Sequence, residues 1–507
     1  MSVSSRERAI GAGLWDRPVE HVDIVIVGAG LSGVGAACHL RSKCPGKRVA
    51  ILEARDAIGG TWDLFRYPGV RSDSDMPTFG YAFRPWRDSR AIADGASIAQ
   101  YIRDTAAQYG IDRLIRFGHK LVRASWRSAE AFWRLEAELE DGADVRLFCD
   151  FLYMCTGYYE YAEGYMPGWP GMERFPGRIV HPQDWPEDLD AAGRRVLVVG
   201  SGATAVTLVP ALAATAAHVA MLQRSPTFVA SRPADDAVAD WLMRWLPRRI
   251  AHGLVRWKNI LLQMYLYNLA RRKPDAVRAQ LVKLAQDQLG PGFDAAELFN
   301  ARYSPWDQRL CLAPDGDLFA AIRSGKASIV TGQIETFTEK GLRLSSGQEL
   351  EADIVVTATG LVMGLMGGAD IVVDGRRIDI GTTLTYKGAM FDGVPNLASA
   401  VGYTNASWTL KCDLSANYVC RLINHMDRRG YAVCTPRARG VLISEAPTLP
   451  LTSGYIERAR ALLPKQGSKP PWTMNQNYAR DLLAFRFGAI EDGALEFRPR
   501  YAARTAA

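Results

Sequence analysis

Residues 22–33 decide the fold, because Val22-Asp-Ile-Val-Ile-Val27 is followed at once by Gly28-Ala-Gly30-Leu-Ser-Gly33. The first six residues are mostly apolar, as a buried parallel strand requires, and the glycines permit a tight turn into a helix. A second apolar run, Arg48-Val-Ala-Ile-Leu-Glu53, ends in an acid 20 residues after Gly33. A strand, glycine turn, helix and strand ending in an acid is the pattern of a Rossmann-like dinucleotide-binding unit in an α/β fold.

Each glycine of this first turn has a physical role. Gly28 allows the tight turn, Gly30 lets the backbone approach a pyrophosphate, and Gly33 lets the helix pack closely on the strand. The start of the helix offers unsatisfied N–H groups and a partial positive charge to phosphate. Glu53 can accept hydrogen bonds from two ribose hydroxyls and would repel a 2′-phosphate. The turn therefore predicts FAD or NAD as ligand, with a plain structural turn as the alternative.

The same pattern returns 172 residues later, counted from Gly28 to Gly200. The strand Arg195-Val-Leu-Val-Val199 leads into Gly200-Ser-Gly202-Ala-Thr-Ala205, and the next strand ends in Arg224 and Ser225. The planar fork of an arginine suits a phosphate, and a serine can add a donor. This pattern favours NADP(H) over NAD(H), with a solvated strand-end arginine as the alternative. Two different dinucleotides in one chain indicate electron transfer, and one flavin with one nicotinamide is the simplest combination.

The rest of the chain divides around these two units. Two apolar runs that end in Thr-Gly, at residues 151–157 and 353–360, flank the second unit and mark the predicted crossings between domains. The region between them includes a segment with a helical pattern that is rich in Trp, Tyr and Leu. We predict that a first domain comprises residues 20–164 plus 361–490 and a second domain residues 165–229 plus 302–360. A helical insertion is predicted at 230–301 and a C-terminal tail at 491–507.

Composition excludes several classes of protein. Of the 507 residues, 48% are hydrophobic and 23% charged, which is ordinary for a globular protein. A net charge of +7 is too mild for a nucleic-acid binder by itself. The eight Cys show no C-x-x-C spacing and there are only seven His, so we predict no metal site. Residues 1–20 carry charges throughout and lack an apolar core, which predicts no signal peptide and a cytoplasmic protein.

Residues 241–273 hold eight basic and no acidic side chains, with aromatic residues between them. Two interpretations stay open for this segment. It is either part of a helical subdomain that covers a substrate cleft or a peripheral contact with an anionic membrane surface. The second interpretation would add membrane association to a cytoplasmic location.

Two further motifs resemble the fingerprints of type I Baeyer–Villiger monooxygenases. Gly59-Gly60-Thr61-Trp62, Tyr67-Pro68-Gly69 and Asp73 are similar to one of them. The stretch Phe175-Pro-Gly177-Arg-Ile-Val-His181-Pro-Gln-Asp-Trp185-Pro186 resembles the second fingerprint, which is F-x-G-x-x-x-H-x-x-x-W-[P/D]. Related flavin N- and S-oxygenases usually carry Tyr or Phe in place of Trp185. The resemblance covers about residues 22–430 and is greatest with the bacterial subgroup that contains ethionamide-activating monooxygenases.

The resemblance implies an activity and a set of residue roles. NADPH would reduce FAD, O2 would form a C4a-peroxyflavin, and a ketone would become an ester or lactone. Arg309 matches the catalytic arginine, with a structural ion pair as the alternative. Asp73 matches the acid that pairs with it, with a helix N-cap or turn residue as the alternative. Gly60, Thr61, Trp62 and Asp73 would also lie at the flavin.

The resemblance further implies that His181 and Trp185 gate a rotation between the domains, with a buried structural histidine as the alternative for His181. Gln308 stands where the family usually has a lysine, which leaves Arg224 as the main determinant of NADPH selectivity. The implied substrates are O2 and a small apolar ketone. Oxygenation of sulfur or nitrogen in sulfides or thioamides is the alternative activity, and Trp185 disfavours it.

Overall fold

In a computed structural model, which describes residues 20–88 and 90–499, nine strands form a first, mixed sheet around Glu20–Val27. That strand pairs in parallel with Val49–Leu52 on one side and Asp144–Met154 on the other, in a register that aligns Val27 with Leu52 and Met154. The first glycine turn therefore leaves the carboxyl edge of three adjacent parallel strands. The other six strands are Ile115–Arg116, Lys120–Arg127, Phe132–Glu138, Asp370–Val373, Arg376–Arg377 and Leu397–Ser399.

Helices from distant parts of the chain cover this sheet. Leu31–Lys43 begins at the glycine turn and packs against Trp408–Arg429, because both helices bury small and apolar side chains in one core. Four short strands form two antiparallel pairs, Thr385–Tyr386 with Met390–Phe391 and Tyr431–Pro436 with Leu495–Pro499. The remaining helices here are Thr61–Leu64, Met76–Phe79, Gly95–Gln108, Gly454–Arg458 and Tyr478–Phe487, with 3₁₀ turns at Asp112–Leu114, Met366–Gly368 and Ile380–Thr382.

The second sheet has five parallel strands. Two of its inner strands, Arg195–Val199 and Ile354–Thr357, are almost entirely buried, which explains their apolar sequences. The order of the five strands is Ala327–Thr331, His218–Gln223, Arg195–Val199, Ile354–Thr357 and Arg178–Val180. Helices Ala203–Ala213 and Asp317–Arg323 pack on this sheet. An antiparallel sheet of Ile334–Thr338, Gly341–Leu344 and Glu349–Glu351 lies beside it, with 3₁₀ turns at Met172–Arg174 and Pro182–Asp184.

The two predicted crossings lead into strands that pair with each other. Tyr159–Gly164 follows the first crossing, Leu361–Met363 follows the second, and the two run antiparallel. The chain therefore passes twice between the two sheets at one place, where a short two-stranded connection joins them.

The region predicted as a helical insertion contains four helices, Ala237–Trp245, Arg248–Arg272, Pro274–Leu289 and Ala295–Phe299. The strand Val229–Arg232 crosses the predicted boundary at residue 230, because its pairing with Cys311–Pro314 continues to Arg232. Within residues 20–88 and 90–499, no helix is long and apolar enough to cross a lipid bilayer.

The sequence led to a prediction for each end of the chain, namely no signal peptide at the start and a tail at the end. The predicted tail 491–507 includes the strand Leu495–Pro499, and Phe497 stacks on Tyr431 with ring centroids 5.0 Å apart. Cross-strand pairing therefore ties the start of that segment to the rest of the fold. Residues 500–507 lie outside the described residues, and so do residues 1–19, on which the prediction of no signal peptide rests.

Candidate functional site

The first glycine turn has no room for side chains. Gly28 has φ +106°, and a Cβ there would lie 2.6 Å from the carbonyl oxygen of Cys155. A Cβ on Gly33 would lie 1.8 Å from the carbonyl oxygen of Gly28, so helix and turn are in direct contact. Gly30 precedes the helix Leu31–Lys43, and its backbone bridges to Gly59. The steric roles predicted for Gly28 and Gly33 correspond to these contacts.

Glu53 is buried at the end of its strand, beside this turn. Its Oε2 accepts a 2.6 Å hydrogen bond from the N–H of Ala29, and its Oε1 accepts a 3.0 Å bond from the N–H of Arg55. Burial raises the pKa of Glu53, and the backbone donors act against that rise. Each carboxylate oxygen can accept more than one hydrogen bond, so the carboxylate keeps capacity for ribose hydroxyls.

A cavity of about 610 Å³ extends from this turn towards the second sheet. Gly60 has φ +57° and brings its backbone against Gly30, while the edge of Trp62 meets Phe79 with ring centroids 5.5 Å apart. The predicted site residues in the cavity wall are Gly28, Gly30, Glu53, Gly60, Thr61, Trp62, Asp73 and Arg309. Eight residues predicted to serve the flavin or catalysis therefore line one cavity.

Arg309 and Asp73 form an ion pair, with 2.9 Å between Nε and Oδ2. Arg309 precedes the strand Cys311–Pro314 and Asp73 lies in the loop before the helix Met76–Phe79, so the pair joins distant segments. About a third of each side chain is accessible, 35% for Arg309 and 30% for Asp73. The Asp73 carboxylate, aided by nearby tyrosines, raises the pKa of Arg309. The cavity wall therefore carries a permanent guanidinium cation.

Three tyrosines surround this cation, and sequence reasoning did not identify them. The hydroxyls of Tyr158 and Tyr159 are 2.5 Å apart, and Trp408 stacks on Tyr158 with ring centroids 4.6 Å apart. Burial raises the pKa of Tyr158, Tyr159 and Tyr455, so all three are neutral. The one signal in the sequence was the aromatic pair that directly follows Thr156-Gly157.

A second, smaller cavity of about 60 Å³ also touches Arg309, Tyr158 and Trp408. Part of its wall comes from the C-terminal region, namely Leu449, Leu451, Ile456, Leu463 and Met474. These apolar residues lie in loops and a short helix without a periodic pattern, so the sequence offered no signal for their role. The guanidinium therefore stands between a large cavity and a small apolar one.

The helix that follows the second glycine turn contributes to the wall of the large cavity. Gly200 has φ +134°, and a Cβ there would lie 2.3 Å from the carbonyl oxygen of Ala358. Gly202 caps the helix Ala203–Ala213, and a Cβ there would meet nothing within 4 Å. Ala205 is buried, while Ala203, Thr204 and Thr207 of the same helix line the cavity. Both helix starts are therefore directed at the same space.

Arg224 and Ser225 follow the strand His218–Gln223, with Arg224 exposed and Ser225 half-buried. Neither lines the large cavity. Gln308 is half-buried beside Arg309. The structure therefore places the predicted 2′-phosphate determinant at a solvent-facing edge of the second sheet, apart from the flavin residues.

His181 and Trp185 lie outside the cavity wall. The buried His181 donates from Nε2 to the carbonyl oxygen of Gly360 at 3.0 Å, and its Nδ1 accepts from the N–H of Gln183 at 3.2 Å. Its ring packs on Gly164, at the end of the two-stranded connection. Burial lowers the pKa of His181, so the ring is neutral. Trp185 is half-buried against the core of the second sheet. Their gating role stays a prediction.

The starts of two helices face one cavity, the buried Glu53 lies beside the first of them, and the guanidinium of Arg309 is in the cavity wall. This arrangement is that of a flavoprotein with two dinucleotide sites. The profile of the flavin-binding monooxygenase-like (FMO-like) family matches residues 22–366. The chain belongs to this family. It is an FAD-containing monooxygenase and therefore an oxidoreductase.

Similar proteins agree with this assignment. The chain is 54% identical over 482 residues to the FAD-containing monooxygenase EthA of Mycobacterium tuberculosis (strain ATCC 25618 / H37Rv), covering 95% of this chain and 98% of the relative. It is 46% identical to the probable FAD-binding monooxygenase AlmA of Acinetobacter baylyi, covering 94% and 96%. An oxidized steroid monooxygenase bound to NADP matches with a TM-score of 0.76 at 22% identity, covering 94% of this chain and all of that one. The predicted α/β fold with two dinucleotide-binding domains is confirmed.

The residues present fit both cofactors. The large cavity is lined by the first glycine turn, which can approach a pyrophosphate, by the buried Glu53 and by the aromatic ring of Trp62. A flavin dinucleotide requires these features. Open space around Gly202, together with an exposed Arg224, is suitable for a second dinucleotide with a 2′-phosphate.

Proposed function

We propose that this monooxygenase converts apolar ketones to esters or lactones, with NADPH and O2 as co-substrates. The observation that carries the proposal is the Asp73–Arg309 ion pair, which stands where the large cavity meets the small apolar one. Bound FAD supplies the hydride acceptance and O2 activation that no side chain can provide.

Arg309 is the residue to which we assign the main catalytic role. When a carbonyl carbon is attacked by an oxygen nucleophile, negative charge develops on oxygen, and a fixed cation in a sheltered site stabilises it. The high pKa of the guanidinium keeps this charge throughout the reaction. The Asp73 carboxylate holds the guanidinium in position through its 2.9 Å contact with Nε.

Tyr158, Tyr159 and Trp408 limit the access of water to this point. The ring of Tyr158 contacts both of the others, and the two phenols are neutral, so they add no competing negative charge. The small cavity beyond them offers an apolar surface to the alkyl groups of a ketone. An apolar ketone of modest size is therefore the substrate class that we propose.

The cofactor-binding roles follow from the same geometry. Gly28, Gly30, Gly33 and Glu53 would hold the adenosine diphosphate part of FAD, and Gly60, Thr61 and Trp62 would contact the flavin. Gly200, Gly202 and Ala205 would form the NADPH turn, and Arg224 and Ser225 would contact its 2′-phosphate. His181, next to the two-stranded connection, and Trp185, against the core of the second sheet, would control how the two sheets move relative to each other.

A product survey tests the proposal. The purified flavoprotein is supplied with NADPH and isotopically labelled O2, together with linear, cyclic and aryl ketones, sulfides and thioamides, and products are identified by mass. We expect esters or lactones that contain one labelled oxygen, with NADPH consumption that depends on the ketone. Labelled sulfoxides without any ester would contradict the proposal and establish heteroatom oxygenation instead.

A further inference from the structure

The two helices Ala237–Trp245 and Arg248–Arg272 carry large apolar side chains on their outer side. Trp241 is 61% exposed and Trp245 67% exposed, at positions four residues apart on the first helix. On the second helix Ile250, Leu254, Leu261 and Tyr265 are exposed at spacings that place them on one side. We call these six residues the outer stripe.

The inner side of the long helix is already used for packing. Ala251, Val255 and Asn259 are buried, and the amide of Asn259 donates a 2.8 Å hydrogen bond to the Asp75 carboxylate. Arg256 donates to the carbonyl oxygens of Pro77 and Gly80. These contacts fix the rotation of the helix about its axis, so the outer stripe faces away from the core.

The charge around the outer stripe is mostly positive, although the exposed Asp240 directly precedes Trp241 on the first helix. Residues 241–273 contain eight basic and no acidic side chains. Lys258 and Arg271 pair with Asp236 and Asp307, whereas Arg248 and Arg249 are exposed at the start of the long helix. An aromatic and aliphatic stripe beside exposed arginines is complementary to lipid: the rings enter the headgroup layer and the guanidinium groups meet anionic headgroups.

We propose that the outer stripe docks the protein on an anionic lipid bilayer, with both helices lying in the plane of the membrane surface. A second copy of the chain fits this face less well, because the long helix has exposed basic residues at both ends, Arg248 and Arg249 at its start and Arg272 and Lys273 at its end. A two-fold contact through this face would bring positive charge against positive charge. Beside this face, Tyr478 of the helix Tyr478–Phe487 contacts Trp257 of the long helix, with ring centroids 5.8 Å apart.

Vesicle flotation with the FAD-loaded protein tests the proposal. One set of vesicles is pure phosphatidylcholine, and the other contains equal parts of phosphatidylcholine and phosphatidylglycerol. We expect the protein to float with the anionic vesicles, and we expect binding to weaken as salt shortens the screening length from about 8 Å to about 3 Å. The double variant Trp241→Ser/Trp245→Ser should bind at least about tenfold more weakly.

A matched control removes two equally exposed apolar side chains elsewhere. Leu442 and Ile443 are 75% and 62% exposed, so Leu442→Ser/Ile443→Ser should leave vesicle binding unchanged. The charge-reversing Arg248→Glu/Arg249→Glu should reduce binding to anionic vesicles only. The visible FAD spectrum and thermal unfolding of every variant should match those of the wild type, which separates lost docking from lost folding.

Three results would overturn the proposal. They are no flotation of the wild type with anionic vesicles, equal flotation of the wild type and the Trp241→Ser/Trp245→Ser variant, or equal binding to both lipid compositions. A dimer that disappears on Trp241→Ser/Trp245→Ser, without any vesicle binding, would assign the face to a second copy instead.

Discussion

The two glycine turns share one local design but differ on the side that faces the ligand. A Cβ on Gly33 would collide with the backbone of its own turn, whereas the matching position of the second turn holds Ala205. A Cβ on Gly30 would touch the backbone of Gly60, whereas one on Gly202 would meet nothing within 4 Å. The first turn is closed over by its own chain at Gly30 and Gly33. The second turn is open at Gly202, although a Cβ on Gly200 would lie 2.3 Å from the carbonyl oxygen of Ala358.

The two sites also differ in the side chain that would contact the ribose or its 2′-phosphate. Glu53 is buried and held by two backbone N–H groups, while Arg224 is exposed at the end of its strand. A closed site with a buried polar anchor suits a cofactor that stays bound, and an open site with an exposed cation suits a nucleotide that exchanges at every turnover. The four predictions below test this contrast, from the largest expected effect to the smallest.

Arg309→Ala tests the guanidinium cation in the wall of the large cavity. Oxygenated product should fall roughly a hundredfold to a thousandfold, about 3–4 kcal/mol, because the fixed cation for developing oxyanion charge is lost. FAD content and the KM for NADPH should stay close to those of the wild type. Arg309→Lys, which keeps a charge but loses the planar fork, should retain intermediate activity. Full product formation by Arg309→Ala would refute the assigned role.

Gly33→Ala and Ala205→Gly test the closed and open turns directly. The added methyl at residue 33 should destabilise the protein by about 1–3 kcal/mol and release FAD, because it would sit 1.8 Å from the carbonyl oxygen of Gly28. The reverse change at residue 205 should cost no more than about 1 kcal/mol and should keep FAD bound. Flavin absorbance per protein and thermal unfolding measure both effects. Equal FAD retention in the two variants would remove the contrast between the turns.

Arg224→Ala tests the exposed cation of the second site. The KM for NADPH should rise about tenfold, since a charge-assisted contact with the 2′-phosphate is lost. The KM for NADH should not change, because NADH lacks that phosphate. Arg194→Ala removes another exposed arginine, at the opposite end of the neighbouring strand, and should affect neither cofactor. A parallel rise in both KM values would show that Arg224 does not read the phosphate.

The smallest expected effect concerns pH and His181. Because burial lowers the pKa of His181 in the folded protein, the unfolded chain binds the proton more readily. Stability is therefore present above the ordinary histidine pKa of about 6.5 and should decline as pH falls below it. Thermal unfolding between about pH 7.5 and pH 5.5 should show a shallower decline in His181→Asn than in the wild type. Identical slopes would mean that His181 does not contribute to the acid sensitivity.

Much of the fold could be read from the sequence because its deciding features are local. A strand, a glycine turn and a helix occupy fewer than about 25 consecutive residues, so each dinucleotide unit appears as one contiguous pattern. The strand Arg195–Val199 has the bounds of the apolar run that predicted it, and Glu20–Val27 ends with its run but begins two residues before it. The pairing of Arg309 with Asp73 was predicted from the family resemblance alone, because the two residues are far apart in the sequence and no local pattern connects them.

The sequence by itself determined the two dinucleotide units, their order along the chain and the chemical type of their key side chains, because backbone sterics and apolar periodicity act over short distances. Only the tertiary structure decided which distant groups share the site. Tyr455 and the apolar residues after Gly440 reach Arg309 through chain folding that no local pattern encodes. Tertiary packing also decided which side of Arg248–Arg272 faces out, because apolar residues occur all round that helix and only its contacts select the buried side.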